Sequence, residues 1–295
     1  YVFQEASLFP HLSVRDNLIY GARRVRSPNP VSLAEITDLL SIEHLLSRST
    51  KALSGGERQR VAVGRALLAE PRVLLMDEPM SALDRMTRDE ILPYFEALHA
   101  TLALPVIYIS HDFSEIERLA DTLVLMRAGR VLASGPLAAL QTDPGLPLLK
   151  VPQATVVLEG EVAAVDRAFA LTELSVAGGR VIVPGLHGEP GARRRLRIAA
   201  TDVSLARTAP SQSSILNCLP ARIVSIDDGP QAAQVNIILA LGADGHGSRI
   251  ASRITRKSLS VLALATGQSV YAQIKSVALV ASRGVTLPRS DADAS

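Results

Sequence analysis

The sequence lacks several features that would commit a chain to a particular class of protein. Its one cysteine, Cys218, excludes an internal disulfide, has no Cys or His partner at metal-ligand spacing and favours a reducing, cytoplasmic setting. No segment contains the run of about eighteen uninterrupted apolar residues that a membrane crossing needs. Basic and acidic residues number 31 and 29, and a formal charge of +2 is too balanced for a protein that coats nucleic acid.

Residues that can form a core are plentiful. The 295 residues are 47% hydrophobic and 20% charged, which excludes disorder as the main state and suffices for about two domains. Up to about residue 140, short apolar runs alternate with helix-compatible sequence, as in an α/β fold with a mostly parallel sheet. The runs, each predicted to be a parallel strand buried on both faces, are Val73–Asp77, Val106–Ser110 and Leu123–Met126. A turn at Arg127–Arg130 predicts a hairpin into Val131–Ser134.

The second half consists of short strand-like pieces separated by glycine and proline. Three prolines and a glycine between Thr142 and Pro152 indicate a linker or domain edge. The spacing of the pieces that follow predicts a small β-barrel or sandwich. These pieces are Val156–Val165, Ala168–Val176, Arg180–Val183, Leu196–Ile198, Val203–Ala206, Ala221–Ile226, Gln234–Leu241, Ser248–Ile254 and Ser269–Val280.

The strongest local signal is the segment Leu53–Arg60, which leads into an amphipathic run. Ser54 and Glu57 have the spacing of a capping box, so each can satisfy a free backbone N–H at the start of a helix. The capping box does not account for Gly55 and Gly56, which disfavour a helix but allow close approach of a ligand to the backbone. A helix start with free N–H groups attracts anions, and phosphate is the obvious candidate.

Polar side chains also follow two successive predicted strands. Asp77 and Glu78 come after one apolar run, and His111 follows the next within Ser110-His111-Asp112. Ligands of open α/β sheets bind at the carboxyl ends of the strands, so these groups are predicted to share one edge, where a γ-phosphate could meet them. Taken singly, an Asp-Glu pair is usually solvated and a lone His is usually an ordinary residue.

Together these segments resemble the motifs of the nucleotide-binding subunits of ABC transporters. Leu53–Gln59 is similar to the signature motif, Val73–Glu78 to Walker B, Ser81–Asp84 to the D-loop and Ser110–Asp112 to the switch-histidine loop. Phe3-Gln4-Glu5, followed by Leu8–Val14, resembles the Q-loop segment. Five motifs in the family's order leave little room for coincidence.

The resemblance implies an ATPase that uses ATP and Mg²⁺. By this resemblance Gln4 would contact the metal and the attacking water, Asp77 would hold Mg²⁺ through water, and Glu78 would polarise the attacking water. His111 would touch the γ-phosphate of the nucleotide. In a homodimer with two shared sites, the residues that would bind ATP held by the opposite subunit, or lie at the dimer seam, are Ser54, Gly55, Gly56 and Asp84.

The tail resembles the Mop or TOBE domain found at the end of molybdate importer ATPases. The segments that carry this likeness are Ser213–Ile223, Ala251–Leu259 and Gly267–Val277. In that domain type, N–H groups with Ser and Lys side chains can hold a tetrahedral oxyanion, and the candidates are Ser214, Lys257, Ser258 and Lys275. Leu216 stands where relatives often carry Arg, so the alternative is that these loop residues only fix a dimer of regulatory domains.

One family motif is missing from the sequence. The chain has no Gly-x-x-x-x-Gly-Lys-Ser/Thr phosphate loop, and it also lacks the adenine-stacking aromatic residue expected upstream of the Q-loop. We therefore expect a sequence truncated at its N-terminus, and we expect these 295 residues alone neither to bind ATP tightly nor to hydrolyse it.

The resulting prediction is an α/β P-loop NTPase of the ABC type, incomplete at its N-terminus, followed by an all-β Mop/TOBE domain like an oligonucleotide-binding fold. The predicted segments are the partial ATPase domain at 1–141, a linker and first β-rich segment at 142–212, the Mop/TOBE domain at 213–283 and a tail at 284–295.

By this resemblance the protein powers molybdate import from the cytoplasmic face of the inner membrane, as a peripheral subunit. Its partners would be a second ATPase subunit, a transmembrane permease dimer and, indirectly, a periplasmic molybdate-binding protein, with no nucleic acid. The alternatives are an importer for sulfate, iron, polyamine or sugar, and an oxyanion-binding protein whose ATPase half has degenerated.

Overall fold

A computed structural model of the chain describes residues 1–23, 25, 31–101, 104–275 and 277–279. The predicted tail at 284–295 and the last residues of the predicted Mop/TOBE segment, 280–283, lie outside the described residues. The described residues form two compact units, 1–120 and 121–279. None of the helices in the described ranges combines the length and the apolar character that a membrane crossing requires.

The first unit consists of helices that pack on a small parallel sheet. Its helices are α1 (Val14–Ala22), α2 (Leu33–Leu39), α3 (Gly55–Leu67), α4 (Arg85–Thr101) and α5 (Phe113–Leu119), with 3₁₀ turns at Glu43–Leu45 and Thr50–Ala52, and its strands are β1 (Leu74–Asp77) and β2 (Val106–Ile109). Strand β1 pairs in parallel with β2, and Val2 forms a parallel bridge to Met76 on the other side of β1. Leu74 and Met76 are buried among the apolar residues of the helices.

The second unit is mostly β-structure. It begins with the strands β3 (Thr122–Arg127) and β4 (Arg130–Pro136) and with the helix α6 (Leu137–Gln141). The remaining elements are β5 (Thr155–Asp166), β6 (Leu171–Val176), β7 (Gly179–Pro184), β8 (Arg193–Ala199), β9 (Val203–Ala206), β10 (Asn217–Asp228), β11 (Gln234–Leu241), β12 (Arg249–Thr255), α7 (Arg256–Val261), β13 (Ser269–Ile274) and β14 (Ala278–Leu279), with 3₁₀ turns at Pro147–Lys150 and Ala200–Asp202.

Two five-stranded sheets share one core in the second unit. Their strand orders are β14-β8-β5-β6-β7 and β12-β11-β10-β13-β9, and the pairings within them are antiparallel. A single apolar cluster contains residues of both sheets, among them Val156, Leu196, Ile237 and Ile250. The Asn217 side chain in β10 joins the two sheets. It accepts a hydrogen bond from the N–H of Ile182 in β7 at 2.7 Å and donates one to the carbonyl of Ile182 at 2.8 Å.

The prediction of parallel strands is confirmed for β1 and β2 but wrong for the third run. Leu123–Met126 lies in β3, which pairs antiparallel with β4 in a two-stranded sheet, so the predicted hairpin is confirmed and the parallel pairing is not. Burial on both faces is also wrong, since Ile107 is 53% and Met126 60% exposed. A short apolar run specifies a strand, but it does not specify the strand's neighbour or which of its faces is covered.

The linker predicted between Thr142 and Pro152 is held by a buried cation. Arg253, only 8% exposed, donates from Nη2 to the carbonyls of Leu149 and Val151 at 2.7 and 3.0 Å and from Nη1 to that of Pro152 at 2.6 Å. Its Nε donates to Asn236 at 2.9 Å. Burial lowers the pKa of Arg253, although the guanidinium is basic enough to stay charged.

The segment before this linker packs with the β-rich unit. Helix α6 contacts β5, and the Gln141 side chain accepts a hydrogen bond from the N–H of Val157 at 2.9 Å. The predicted boundary after residue 141 therefore falls inside the second compact unit, which begins at Asp121. The end of the ATPase-like sequence at residue 141 stays a prediction, because the boundary of a compact unit need not coincide with the end of a sequence similarity.

Candidate functional site

Three strand segments run side by side and end at one edge of the first unit. The N–H of Val2 donates to the carbonyl of Leu75 at 2.8 Å, and the N–H of Asp77 donates to the carbonyl of Val2 at 3.0 Å. On the other side of β1, the N–H of Glu78 donates to the carbonyl of Ile109 at 2.9 Å. Asp77 ends β1, Glu78 follows it and His111 comes two residues after β2, as the sequence predicts. Gln4 comes two residues after the Val2 bridge.

Glu78 and His111 meet at this edge. The Nδ1 atom of His111 lies 3.0 Å from the Oε1 atom of Glu78. The backbone of Glu78 is left-handed, with φ at +44°, and its carbonyl accepts a hydrogen bond from the Ser81 hydroxyl at 2.9 Å. Both side chains reach solvent, with 72% of His111 and 31% of Glu78 exposed. A carboxylate and an imidazole in this arrangement can orient and polarise a water molecule.

Asp77 faces a different partner from Glu78. Its Oδ2 atom accepts a hydrogen bond from the Tyr1 hydroxyl at 2.9 Å, and this bond raises the pKa of Tyr1. The Gln4 side chain is exposed two residues beyond the Val2 bridge. The structure thus brings the side chains of Glu78 and His111 into contact, pairs Asp77 with Tyr1, and leaves the Gln4 side chain exposed.

Glu115 is a buried carboxylate near the His111 loop that the sequence did not reveal. Glu115 in α5 is 2% exposed and accepts hydrogen bonds from the hydroxyls of Tyr108 and Ser110, both at 2.7 Å. The Ser110 hydroxyl in turn accepts from the N–H of Asp112 at 3.0 Å. The residues on either side of His111, Ser110 and Asp112, are therefore both held by hydrogen bonds. The apolar run that contains Tyr108 and ends in Ser110 gives no signal for this carboxylate, which lies seven and five residues further on.

The predicted capping box at the start of α3 is confirmed. The Ser54 hydroxyl accepts from the N–H of Glu57 at 3.2 Å, and the Glu57 carboxylate accepts from the N–H of Ser54 at 2.7 Å. The hydrogen bond from the Ser54 backbone lowers the pKa of Glu57. Ser54 itself is exposed.

Gly55 and Gly56 have a packing role that the sequence did not predict. A Cβ atom on Gly55 would lie 2.9 Å from Leu83, and one on Gly56 would lie 2.8 Å from both Thr87 and Ile91. Real Cβ atoms do not approach other atoms so closely, so a larger residue at either position would force these side chains to shift. The glycines let the helix start pack directly on the segment Ser81–Asp84 and on α4, while their contact with a ligand stays a prediction.

Asp84 caps the start of α4. Its Oδ1 accepts from the N–H of Thr87 at 3.1 Å, and its Oδ2 accepts from the Thr87 hydroxyl at 2.7 Å. These bonds, the hydroxyl first, lower the pKa of Asp84, whose side chain is exposed. The capping role accounts for an acidic residue here.

Arg65, in the last turn of α3, holds the segment that resembles a Q-loop. It donates to the carbonyl of Ser7 at 3.0 Å and to that of Ala6 at 3.4 Å, and its guanidinium lies 5.3 Å from the centre of the Phe9 ring. The sequence reasoning did not single out Arg65, because nothing in a helical pattern distinguishes a surface arginine from one that binds a distant loop.

The four candidate oxyanion residues lie in two groups. Ser214 is on the loop before β10, and Lys275, whose N–H donates to the carbonyl of Asp202 at 2.9 Å, directly follows β13. Lys257 and Ser258 are in α7, where the Ser258 hydroxyl lies 2.8 Å from that of Thr255. In the described part of the chain, no hydrogen bond joins one group to the other. Within the residues that the structure describes, no group of three or more His, Cys, Asp or Glu side chains could hold a metal ion.

Comparison with known proteins agrees with the motifs. The family model of ABC transporters matches residues 1–81, and that of the TOBE domain matches residues 213–281. A molybdenum import ATP-binding protein ModC of Rhodobacter capsulatus is 59% identical over 281 residues, which are 95% of this chain and 77% of that protein. ModC of Rhodopseudomonas palustris strain HaA2 is 56% identical over 96% of this chain and 76% of its own length. ModC of Hahella chejuensis is 47% identical over 95% and 77%.

The matches bear out the fold class, an ABC ATPase segment followed by a TOBE domain, with the segments in the order that the motifs predict. The alignments with more than half of the residues identical cover 95% and 96% of the chain, so the likeness is not confined to the motifs. The chain belongs to the ModC family of ABC-type molybdenum import ATP-binding proteins.

Proposed function

We propose that this chain supplies the ATP-hydrolysing machinery of an importer for molybdate. The observation that carries the proposal is the pairing of Glu78 with His111, at 3.0 Å, where two adjacent parallel strands end. Hydrolysis of a phosphoanhydride needs little beyond positioning and charge stabilisation, and an exposed carboxylate beside an imidazole supplies both. The names of the relatives, all molybdenum import proteins, favour molybdate over the other cargoes that the sequence leaves open.

Each side chain at the edge has one part in this proposal. Glu78 polarises the water that attacks the γ-phosphate, and His111 donates a hydrogen bond to the γ-phosphate oxygens. The left-handed backbone at Glu78 supports the assignment, because strain of this kind clusters at functional sites.

The same edge fits a magnesium ion. Asp77 and Gln4 provide the carboxylate and amide oxygens that this hard cation prefers, and Asp77 would hold it through water. Bound there with the nucleotide, Mg²⁺ would neutralise charge on the phosphates. The exposed Gln4 side chain is free to turn toward such an ion, and it would also sense the permease.

We propose further that two copies of the chain complete each other's sites. Ser54 and Asp84 are exposed at the starts of α3 and α4, and the direct packing of Gly55 on Leu83 keeps these two helix starts together. Ser54, with the N–H groups of Gly55 and Gly56, would bind the γ-phosphate of ATP held by the partner copy. Asp84 would lie at the seam between the copies.

The remaining partners follow from the same proposal. A permease dimer would contact the copies at the cytoplasmic face of the inner membrane, and a periplasmic molybdate-binding protein would act indirectly through it. In the TOBE region, Ser214, Lys257, Ser258 and Lys275 would take part in oxyanion binding that slows transport when internal molybdate is high. Leu216, which is 64% exposed beside this region, is an apolar side chain that cannot donate to an oxyanion.

A transport assay tests this function. The protein as its gene encodes it, assembled with its permease and binding protein in proteoliposomes, should accumulate labelled molybdate only when ATP is present on the cytoplasmic side. Unlabelled sulfate, iron, polyamine or sugar in tenfold excess should not compete. Uptake of one of these in place of molybdate would contradict the cargo, and uptake without ATP would contradict the ATPase role. These 295 residues alone, which carry no phosphate loop, should show no turnover.

A further inference from the structure

Arg88, in the first turn of α4, contacts two separate segments of the candidate site. Its Nε donates to the carbonyl of Leu83 at 3.1 Å, within the segment Ser81–Asp84. Its Nη1 donates to Oδ2 of Asp112 at 2.6 Å, the residue that follows His111. About a quarter of each side chain is exposed, 26% for Arg88 and 29% for Asp112. One guanidinium therefore connects the segment before α4 with the loop that carries the histidine.

The charges around Arg88 favour this arrangement. The buried Glu115 carboxylate lies 3.9 Å from Nη1, so the guanidinium faces two carboxylates. The other oxygen of Asp112 accepts from the N–H of Ser114 at 2.9 Å and from its hydroxyl at 2.6 Å. Burial alone would raise the pKa of Asp112, but these bonds and the charge of Arg88 outweigh it and lower the pKa. Asp112 is thus an ionised partner for Arg88.

We propose that Arg88 is a positioning residue, which keeps His111 in a fixed place relative to the segment Ser81–Asp84. This inference rests on the proposed ATPase function. The chain of contacts runs from Gly55 to Leu83, through Arg88 to Asp112, and so to His111 and Glu78. These contacts couple the segment Ser81–Asp84, which would lie at the dimer seam, to the imidazole of His111, which would meet the γ-phosphate.

A second ion pair shows that Arg88 is not needed merely to attach α5 to α4. Arg118 of α5 pairs with Glu96 of α4 at 2.5 Å, and this pair is more buried than the first, with 18% and 6% of the side chains exposed. It joins the same two helices but lies away from Leu83 and His111 in the sequence. Arg118 is therefore a matched control for Arg88.

Lysine substitutions separate positioning from simple charge. Lysine keeps the positive charge of Arg88, but its single ammonium group lacks the fork that reaches both Asp112 and the Leu83 carbonyl. In the protein as its gene encodes it, assembled with its permease, ATP turnover is measured against ATP concentration for Arg88→Lys, Arg88→Met and Arg118→Lys. We expect Arg88→Lys to lower kcat by about tenfold and Arg88→Met by more, the size of loss that misplaced reacting groups bring. KM for ATP should change little, because ground-state contacts are kept.

The control decides between positioning and structure. Arg118→Lys should keep a kcat close to that of the wild type. If Arg88→Met does not fold, Arg88→Lys still tests the proposal, because it retains the charge. Equal kcat values for Arg88→Lys and Arg118→Lys would overturn the proposal. A fall in kcat/KM that comes entirely from a higher KM, with kcat unchanged, would overturn it as well. A wild-type protein without ATP turnover would instead overturn the proposed function, and the inference with it.

Discussion

The Nδ1 atom of His111 lies 3.0 Å from the Oε1 atom of Glu78, across the ends of two parallel strands. Their backbones are joined at the same place, since the N–H of Glu78 donates to the carbonyl of Ile109. The contact is therefore set by the strand register, in which Asp77 is opposite Ile109, and not by two flexible loops that meet in solvent.

Removal of the imidazole should reduce ATP hydrolysis without loss of the fold. His111→Ala takes away a side chain that is 72% exposed, so little packing is lost. We expect kcat to fall by at least about a hundredfold, as for other groups that act directly on a reacting phosphate or its water. Steady-state turnover by the permease-assembled protein measures this. His44→Ala, which removes an exposed histidine from the same unit, is the control, and an equal effect of the two variants would contradict the role of His111.

The packing of α3 against α4 predicts a stability effect at Gly56. In Gly56→Ala the new methyl group would lie 2.8 Å from side-chain atoms of Thr87 and Ile91, so these groups must shift. We expect a loss of about 1–3 kcal/mol in the free energy of unfolding, typical of overpacking. Urea unfolding measures it. Gly135→Ala, whose methyl group would have only Leu140 nearby, at 3.8 Å, should be close to neutral. An unaffected Gly56→Ala would show that the close packing is not rigid.

Much of the candidate site could be read from the sequence because its signals are local. The capping box of Ser54 and Glu57, the strands before Asp77 and His111, and their common edge depend on spacing and on the geometry of parallel sheets. Arg65 and Arg88 could not be found in this way. Each binds a carbonyl or carboxylate in a segment that is distant in the sequence, or that only the fold brings near, and an arginine on a helix gives no sign of its acceptor.

The limits of the fold prediction have a similar origin. The strands of the second half were found because glycine and proline mark their ends, whereas the pairing of Leu123–Met126 was wrong. An apolar run of this length is compatible with a parallel or an antiparallel neighbour. Helix α7 was missed altogether, since Arg256–Val261 is only six residues long and contains two apolar residues, Leu259 and Val261, too few for a helical pattern.

The ionised state of Asp112 predicts a pH dependence of stability. Because the folded protein lowers the pKa of this carboxyl group, its contribution is complete above the ordinary value of about 3.9 and is lost as the pH falls below it. Asp112→Asn should therefore destabilise by about 1 kcal/mol near neutral pH, a modest figure because solvent screens the partly exposed pair. The difference between the two proteins should shrink at about pH 3.

Urea unfolding at both pH values tests this dependence. Asp38→Asn, which removes an exposed carboxyl group from α2, serves as the control and should show no such change. A loss of stability in Asp112→Asn that grows as the pH falls would contradict the assignment. It would mean that the protonated carboxyl group of Asp112 stabilises the folded protein more than the carboxylate does.

The linker should depend on its buried arginine. Arg253→Met would remove the donor to the buried Oδ1 of Asn236 and one of the two donors to the Leu149 carbonyl, which keeps the Asn236 amide at 2.8 Å, and a buried acceptor left unpaired is costly. We expect a loss of about 2–4 kcal/mol in the free energy of unfolding and faster proteolysis between the two halves of the chain. Arg249→Met, an exposed position on the same strand, is the control. Equal stability of the two variants would show that the linker is held by other contacts.

In the proposed mechanism, Glu78 polarises the attacking water at the edge that it shares with His111. Its most direct test is a single-turnover measurement of ATP hydrolysis by the permease-assembled protein with Mg²⁺, for the wild type and for Glu78→Gln, which keeps the size of the side chain and removes its charge. We expect Glu78→Gln still to bind ATP but to hydrolyse it at least about a hundredfold more slowly. A Glu78→Gln protein that hydrolyses bound ATP at the wild-type rate would contradict it.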